Sequence, residues 1–325
     1  MYKPKDEYIY AVSRIRHRET KLFTKKHIEQ MISMPDAESV LRFLAEQGFG
    51  ATNKLTEEVD PIDAEREKLW ALMKELLGDL DCFDFLRIQN DFQNLKAAIK
   101  AQYSELSTDG LFMSGSVYDP EELAKAIAEK DYSSLPEVLR EVGENAHKTL
   151  LKTADGQLCD MIIDKACLET VYAFGKKSSE KIVSDYCELF VASSNIKIAV
   201  RGSKLLKSQS FILDSLAECE SLNIRTLASA SAKGFEELLS YLSTTDYKWA
   251  VEHIKVSLTD FEKYCDNKLI GLLKSQKAEP FTLGPLVAYA IAKENEIKAV
   301  RLILTAKEND LADSVIRERI RDMYV

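Results

Sequence analysis

Asn94-Leu95-Lys96, Asn195-Ile196-Lys197 and Glu296-Ile297-Lys298 follow one another at an identical step of 101 residues. Each joins a polar residue, a branched apolar residue and a lysine. A second marker travels with the first. "ESVLRFL" sets Val40-Leu41 and Leu44, "PEVLREV" sets Val138-Leu139 and Val142, and "EELLSYL" sets Leu238-Leu239 and Leu242. The distances from these to the following apolar–Lys pair are 55, 58 and 59 residues. Two markers in one order, three times over, indicate internal triplication. The period lies far above the roughly 20–50 residues of solenoid repeats, so each copy is expected to be a small domain. The expected divisions are 1–109, 110–211 and 212–325.

The copies read as helical. Gly and Pro number 12 and 7, about half of average usage, which disfavours a turn-dense sheet. Asp119-Pro120-Glu121-Glu122 offers an N-cap, proline at the first helical position and an early acidic turn. Ser134-Leu135-Pro136-Glu137 opens the next helix in similar fashion. In the first copy Val12, Ile15 and Leu22 share a face, and "TKKHIEQMI" restarts after Phe23. No window shows strand alternation flanked by Asn-Gly or Asp-Gly turns. The expected class is all-α.

A net charge of −9 argues against a general nucleic-acid binder, which needs a basic face to release counterions. The six cysteines, at 82, 159, 167, 187, 219 and 265, form no CxxC pair and read as small buried apolar residues in a reducing compartment. The N-terminus lacks the apolar core of a signal peptide. The longest apolar run, Pro280 to Ala292, holds Pro280, Gly284 and Pro285 within 13 residues. A membrane span needs about 20, so this run is expected to be a buried helix with its entry turn.

Motifs for catalysis are missing. There is no GxxxxGK[ST], GxGxxG, HExxH or GxSxG, and His17, His27, His147 and His253 are scattered. No catalytic, cofactor-binding or metal residue is expected, and no cofactor. Glu294 and Glu296 point about 200° apart on a helix, so they cannot face one cleft as an acid–base pair. Glu294 is instead expected to reach Lys298, and Lys293 to reach Glu296, neutralising charge along the helix margin. Arg301 ends this stretch. Ile297, Val300 and Leu304 are expected to face their own domain's core. Arg14, Arg18, Lys21 and Lys25 follow i, i+4, i+7, i+11, one stripe of a continuous helix. That stripe is either a solvated face or a docking surface for an acidic partner.

Several blocks make the chain resemble, from end to end, the C-subunit family of prokaryotic A/V-type ATPases, related to the eukaryotic d subunit. They are "YIYAVSRIRHRETKLFTKKHIEQMI" at 8–32, "NDFQNLKAAIKAQY" at 90–103, "NIKIAVRG" at 195–202, "PLVAYAIAKENEIKAVRLILTAKEND" at 285–310 and the closing "IRERIRDMYV". The resemblance implies a funnel of three similar helical domains with a pseudo-threefold arrangement. It also implies a non-catalytic rotor linker that joins the D–F central shaft to the proteolipid c-ring. Such a linker is cytoplasmic and peripheral to the membrane, and transmits torque between ATP chemistry and ion transport. A generic helical scaffold is the alternative. Two departures stand out. Asp91 precedes Asn94, but Ala192 and Ser193 precede Asn195. Arg301 sits one place earlier, relative to its apolar–Lys pair, than Lys100 and Arg201.

Overall fold

A computed structural model describes residues 7–51, 60–108 and 110–325, and among the described residues every regular element is helical. The all-α expectation holds. The run in chain order is α1 (Glu7–Glu19), α2 (Lys25–Ile32), α3 (Ala37–Glu46), α4 (Pro61–Leu77), α5 (Asp84–Ser104), α6 (Pro120–Glu129), α7 (Glu137–Thr153) and α8 (Gly156–Lys177). It continues with α9 (Lys181–Lys204), α10 (Gln209–Ser215), α11 (Ile224–Lys233), α12 (Phe235–Ser243), α13 (Ala250–Val256), α14 (Leu258–Lys274), α15 (Gly284–Glu308) and α16 (Asp313–Arg319). Contacts divide the chain into two compact units, Met1–Asp81 with Val256–Val325, and Cys82–Lys255. A unit of contact and a repeat of sequence are different divisions. Residues 82–109 and 212–255 lie in the second unit, while the sequence segments containing them continue in the first.

In the first unit, α15 packs against α1, α2, α3, α4, α14 and α16. It is buried from Gly284 through Lys293 without a break. A helix covered on all sides needs no polar face, which is why the 280–292 run is so apolar. Farther along, Ile297, Val300, Ile303 and Leu304 join a core made of Phe23, Ile28, Met31, Ile32, Val40, Phe43, Leu44, Phe49 and Ile62. The expectation that Ile297, Val300 and Leu304 face the core of residues 212–325 is therefore corrected in part. They are buried as expected, and Ile316 and Met323 of their own segment belong to the same core, but most of that core comes from residues 23–62. α4 is well punctuated: the Asp60 carboxylate accepts from Ile62 N–H at 2.8 Å, Pro61 takes the first turn, and Gly78 ends it at φ +86°. At Gly50, also left-handed at φ +70°, an added Cβ would lie 2.5 Å from the Pro61 Cβ, so the chain reaches α4 through a position only glycine fits.

In the second unit, α5 packs on α6, α7 and α8, and α9 packs on α8, α10, α11 and α12. The expected start signal works as read: the Asp119 carboxylate accepts from Glu121 N–H at 2.9 Å and Pro120 opens α6. The approach of α8 to α9 is set by Gly175, where a Cβ would sit 2.5 Å from the Cys187 Cβ. No described helix is long and apolar enough to cross a membrane.

Candidate functional site

In the first unit a cluster of charged side chains is buried where α4 meets α15. On α4, Ile62, Leu69 and Met73 form the covered face, and Glu65 and Arg66 fall on that same face. Arg66 is 1% exposed. Its Nε donates to the Glu294 carboxylate at 3.0 and 3.2 Å, and its Nη1 lies 3.5 Å from Asp63. At the neighbouring positions, Lys293 Nζ bridges Glu65 at 2.6 Å and Glu296 at 2.5 Å, and stands 5.2 Å from the centre of the Phe49 ring. Glu65 also accepts from Gly50 N–H and from Lys68. Glu296 Oε2 accepts from Phe23 N–H at 2.5 Å. Burial works against ionisation of Glu65, but Lys293, the Gly50 N–H and Lys68 outweigh it and hold the carboxyl low. For Glu296 burial wins and pushes the pKa up despite Lys293 and Phe23 N–H. Burial likewise opposes a charged Lys293, and its two carboxylates reverse that effect and raise it.

This arrangement corrects the marginal charge pattern expected for α15. The Lys293–Glu296 pair forms, but inside the fold rather than along its edge. Glu294 is drawn to Arg66 instead of Lys298, which is exposed. A buried guanidinium left without its carboxylate costs more than a surface pair contributes. Arg301 lies 3.7 Å from Asp63. At and near the two earlier sequence markers Lys96 binds Asp164 at 2.6 Å, Lys100 binds Asp160 at 2.7 Å, and Lys197 is half-buried. The lysines of the three markers thus have three different environments. Their apolar partners Leu95, Ile196 and Ile297 share one, each being fully buried.

The basic stripe is not carried by a continuous helix. α1 ends at Glu19, Lys21 lies in the turn that follows, and Lys25 is the first residue of α2. The break has a local cause. Lys21 and Leu22 close short bonds to Arg18 O and Glu19 O, Glu296 captures the Phe23 N–H, and Thr24 N–H turns to His27 Nδ1. Arg18, Lys21 and Lys25 are exposed. Arg14 is half-buried, bonded to Tyr10 OH at 2.6 Å and 3.3 Å from Glu75. Tyr10 is 63% exposed and Ile9 is exposed beside it. The surface is mixed, cationic and aromatic, and suits protein contact better than chemistry.

Elsewhere four of the six thiols are quenched by burial. Burial pushes the thiols of Cys159 and Cys219 up to about 11 and those of Cys167 and Cys187 to about 12, far from reactive thiolates. His147 is buried, with Nδ1 3.1 Å from Tyr132 OH, and burial, helped by the nearby Lys130 charge, lowers its pKa. A polar cleft in the Cys82–Lys255 unit is lined by Tyr172, Lys176, Asp185, Glu188, Glu220 and Tyr247. Lys176 pairs with Glu220, and Glu188 is engaged by Ser221 N–H and Oγ. Among the described residues no His, Cys, Asp or Glu cluster could hold a metal. Sequence reasoning missed Glu65 and Arg66. The available signal was their position on the stripe set by Ile62, Leu69 and Met73, where charge has no solvent.

Comparison with known proteins gives this architecture a context. The family model described as "ATP synthase (C/AC39) subunit" matches residues 11–319. The C subunit of the V-type sodium ATPase of Enterococcus hirae is 25% identical over 322 residues, covering 95% of this chain and 97% of that protein. The C subunit of the A-type ATP synthase of Methanocaldococcus jannaschii is 24% identical, covering 95% of this chain and 85% of its own length. The C subunit of the V-type ATP synthase of Thermus thermophilus is 24% identical, covering 93% and 94%. A match that runs through the buried α4–α15 network and both compact units leaves one conclusion: the chain belongs to the ATP synthase (C/AC39) subunit family.

Proposed function

We propose that this chain is a non-catalytic part of a rotary A/V-type ATPase, the linker that joins the D–F central shaft to the proteolipid c-ring and passes torque between them. The observation that carries the reading is the family match over residues 11–319, together with relatives that are the C subunits of a V-type sodium ATPase and of A-type ATP synthases. Quenched thiols and internally matched charges agree with a part that transmits force and binds partners. In this reading 1–109, 110–211 and 212–325 are three copies of one helical segment, arranged as a funnel with pseudo-threefold symmetry. The chain is attached to the cytoplasmic face of the membrane through its partners. Arg14, Arg18, Lys21 and Lys25 form a cationic docking edge for an acidic partner surface.

The direct test is reconstitution. The purified chain is mixed with a D–F shaft and, separately, with detergent-solubilised proteolipid ring, and complexes are resolved by size exclusion. The expected result is a complex with each and a ternary complex with both. A folded chain that binds neither overturns the linker reading.

A further inference from the structure

The polar residue that opens each sequence marker performs one task in all three copies. On α5, Asn94 Oδ1 accepts from Met113 N–H at 2.7 Å and Nδ2 donates to Met113 O at 3.0 Å. On α9, Asn195 Oδ1 accepts from Ala217 N–H at 3.0 Å and Nδ2 donates to Ala217 O at 2.7 Å. On α15, Glu296 Oε2 accepts from Phe23 N–H. The three side chains are 0%, 0% and 1% exposed. Each gripped backbone residue lies just ahead of two helices: Met113 before α6 and α7, Ala217 before α11 and α12, and Phe23 before α2 and α3. In each case the gripping helix packs against that pair: α5 on α6 and α7, α9 on α11 and α12, α15 on α2 and α3. A long helix late in each segment therefore holds a helix pair early in the next, and the third segment holds such a pair in the first.

The chemistry of the three grips differs. A buried asparagine carries both donor and acceptor groups and so satisfies the N–H and the C=O of a single residue without charge. A carboxylate only accepts, and a buried carboxylate needs a counter-charge. Glu296 has its counter-charge in Lys293, which is itself shared with Glu65. We propose that Asn94, Asn195 and Glu296 are equivalent clasps, each fastening the helix pair of the following segment, and that the Glu296 clasp alone is set by charge. Breaking the Glu65–Lys293–Glu296 brace then releases α2 and α3 from α15 as one strap. The equivalence rests on the three-segment reading of the sequence and is independent of partner binding.

Hydrogen exchange on the full chain, followed by mass spectrometry, tests this without any partner. Lys293→Met leaves two buried carboxylates without their shared cation. Exchange across 22–47 is expected to rise by about tenfold or more through local opening, with 113–153 and 217–243 unchanged. Lys293→Met combined with Glu296→Gln removes both charges, keeps an acceptor for Phe23 N–H and leaves Glu65 to Lys68 and Gly50. This double variant is expected to return 22–47 to within about threefold of the parent. Asn195→Asp, which keeps the acceptor and loses the donor, is expected to speed exchange over 217–243 and not over 22–47. A double variant as open as the single one overturns the proposal. So does loosening confined to the substituted helix, or spread evenly over its compact unit.

Discussion

Asp91 sets burial against hydrogen bonding within one carboxyl group. It accepts from Val117 N–H and Tyr118 N–H, both at 2.9 Å, and Arg87 adds favourable charge. Burial outweighs all three and pushes its pKa from 3.8 to about 6. A carboxyl with a raised folded pKa binds its proton more tightly in the folded state. Stability from this group is therefore fully present below about pH 4 and is lost as pH rises through about 6. At roughly 1.4 kcal/mol per pKa unit the difference amounts to about 2–3 kcal/mol. Asp91→Asn is expected to shift stability by a fixed offset and to remove this slope. Urea unfolding of parent and variant at pH 4.5 and 7.5 checks it, and a difference between them that does not change with pH would refute the assignment. Asp91 was visible in the sequence as an acidic residue one turn before Asn94. Its burial was not, because whether a carboxylate meets backbone N–H groups depends on a segment more than twenty residues downstream.

Helices were legible where local chemistry writes them, and less so where distant contacts cut them. The Asp119-Pro120 start and the restart at Thr24 are local signals, and both hold. The basic stripe failed as one helix because Glu296, 273 residues away in sequence, takes the Phe23 N–H. Glu65 and Arg66 look like a solvated charged run until α15 arrives opposite them. The apolar member of each marker was the most secure reading, since Leu95, Ile196 and Ile297 are all fully buried. Ile297→Ala is expected to destabilise by about 2–5 kcal/mol, the range for truncating a large buried aliphatic. Lys298→Ala, on the exposed side of the same helix, is expected to stay within about 0.5 kcal/mol of the parent. Equal losses for the two in urea unfolding would mean that α15 is not held by its apolar face.

At the scale of the whole molecule, the family and the all-helical class were readable because they reside in patterns that recur along the entire chain. The proposed docking edge rests on spacing in the sequence, and the structure shows only how exposed each of its cations is. Of its four cations, Arg14 already has Tyr10 and Glu75, while Arg18, Lys21 and Lys25 are exposed. Exposed ion pairs contribute about 0–1 kcal/mol to stability, so replacing all four with Gln should leave the unfolding midpoint nearly unchanged. Association is a separate matter. Charges at the rim of an interface act mainly on encounter and register, and salt screens them over about 8–10 Å near physiological ionic strength. The fourfold variant is therefore expected to bind an acidic partner surface more weakly than the parent at low ionic strength, chiefly through a slower association rate. The gap should shrink as salt is added and the parent loses the same advantage. Binding kinetics to the D–F shaft and to the proteolipid ring across a salt series measure this directly. If the rates of parent and variant coincide at every ionic strength for both partners, the four residues are a solvated edge and the docking surface lies elsewhere on the chain.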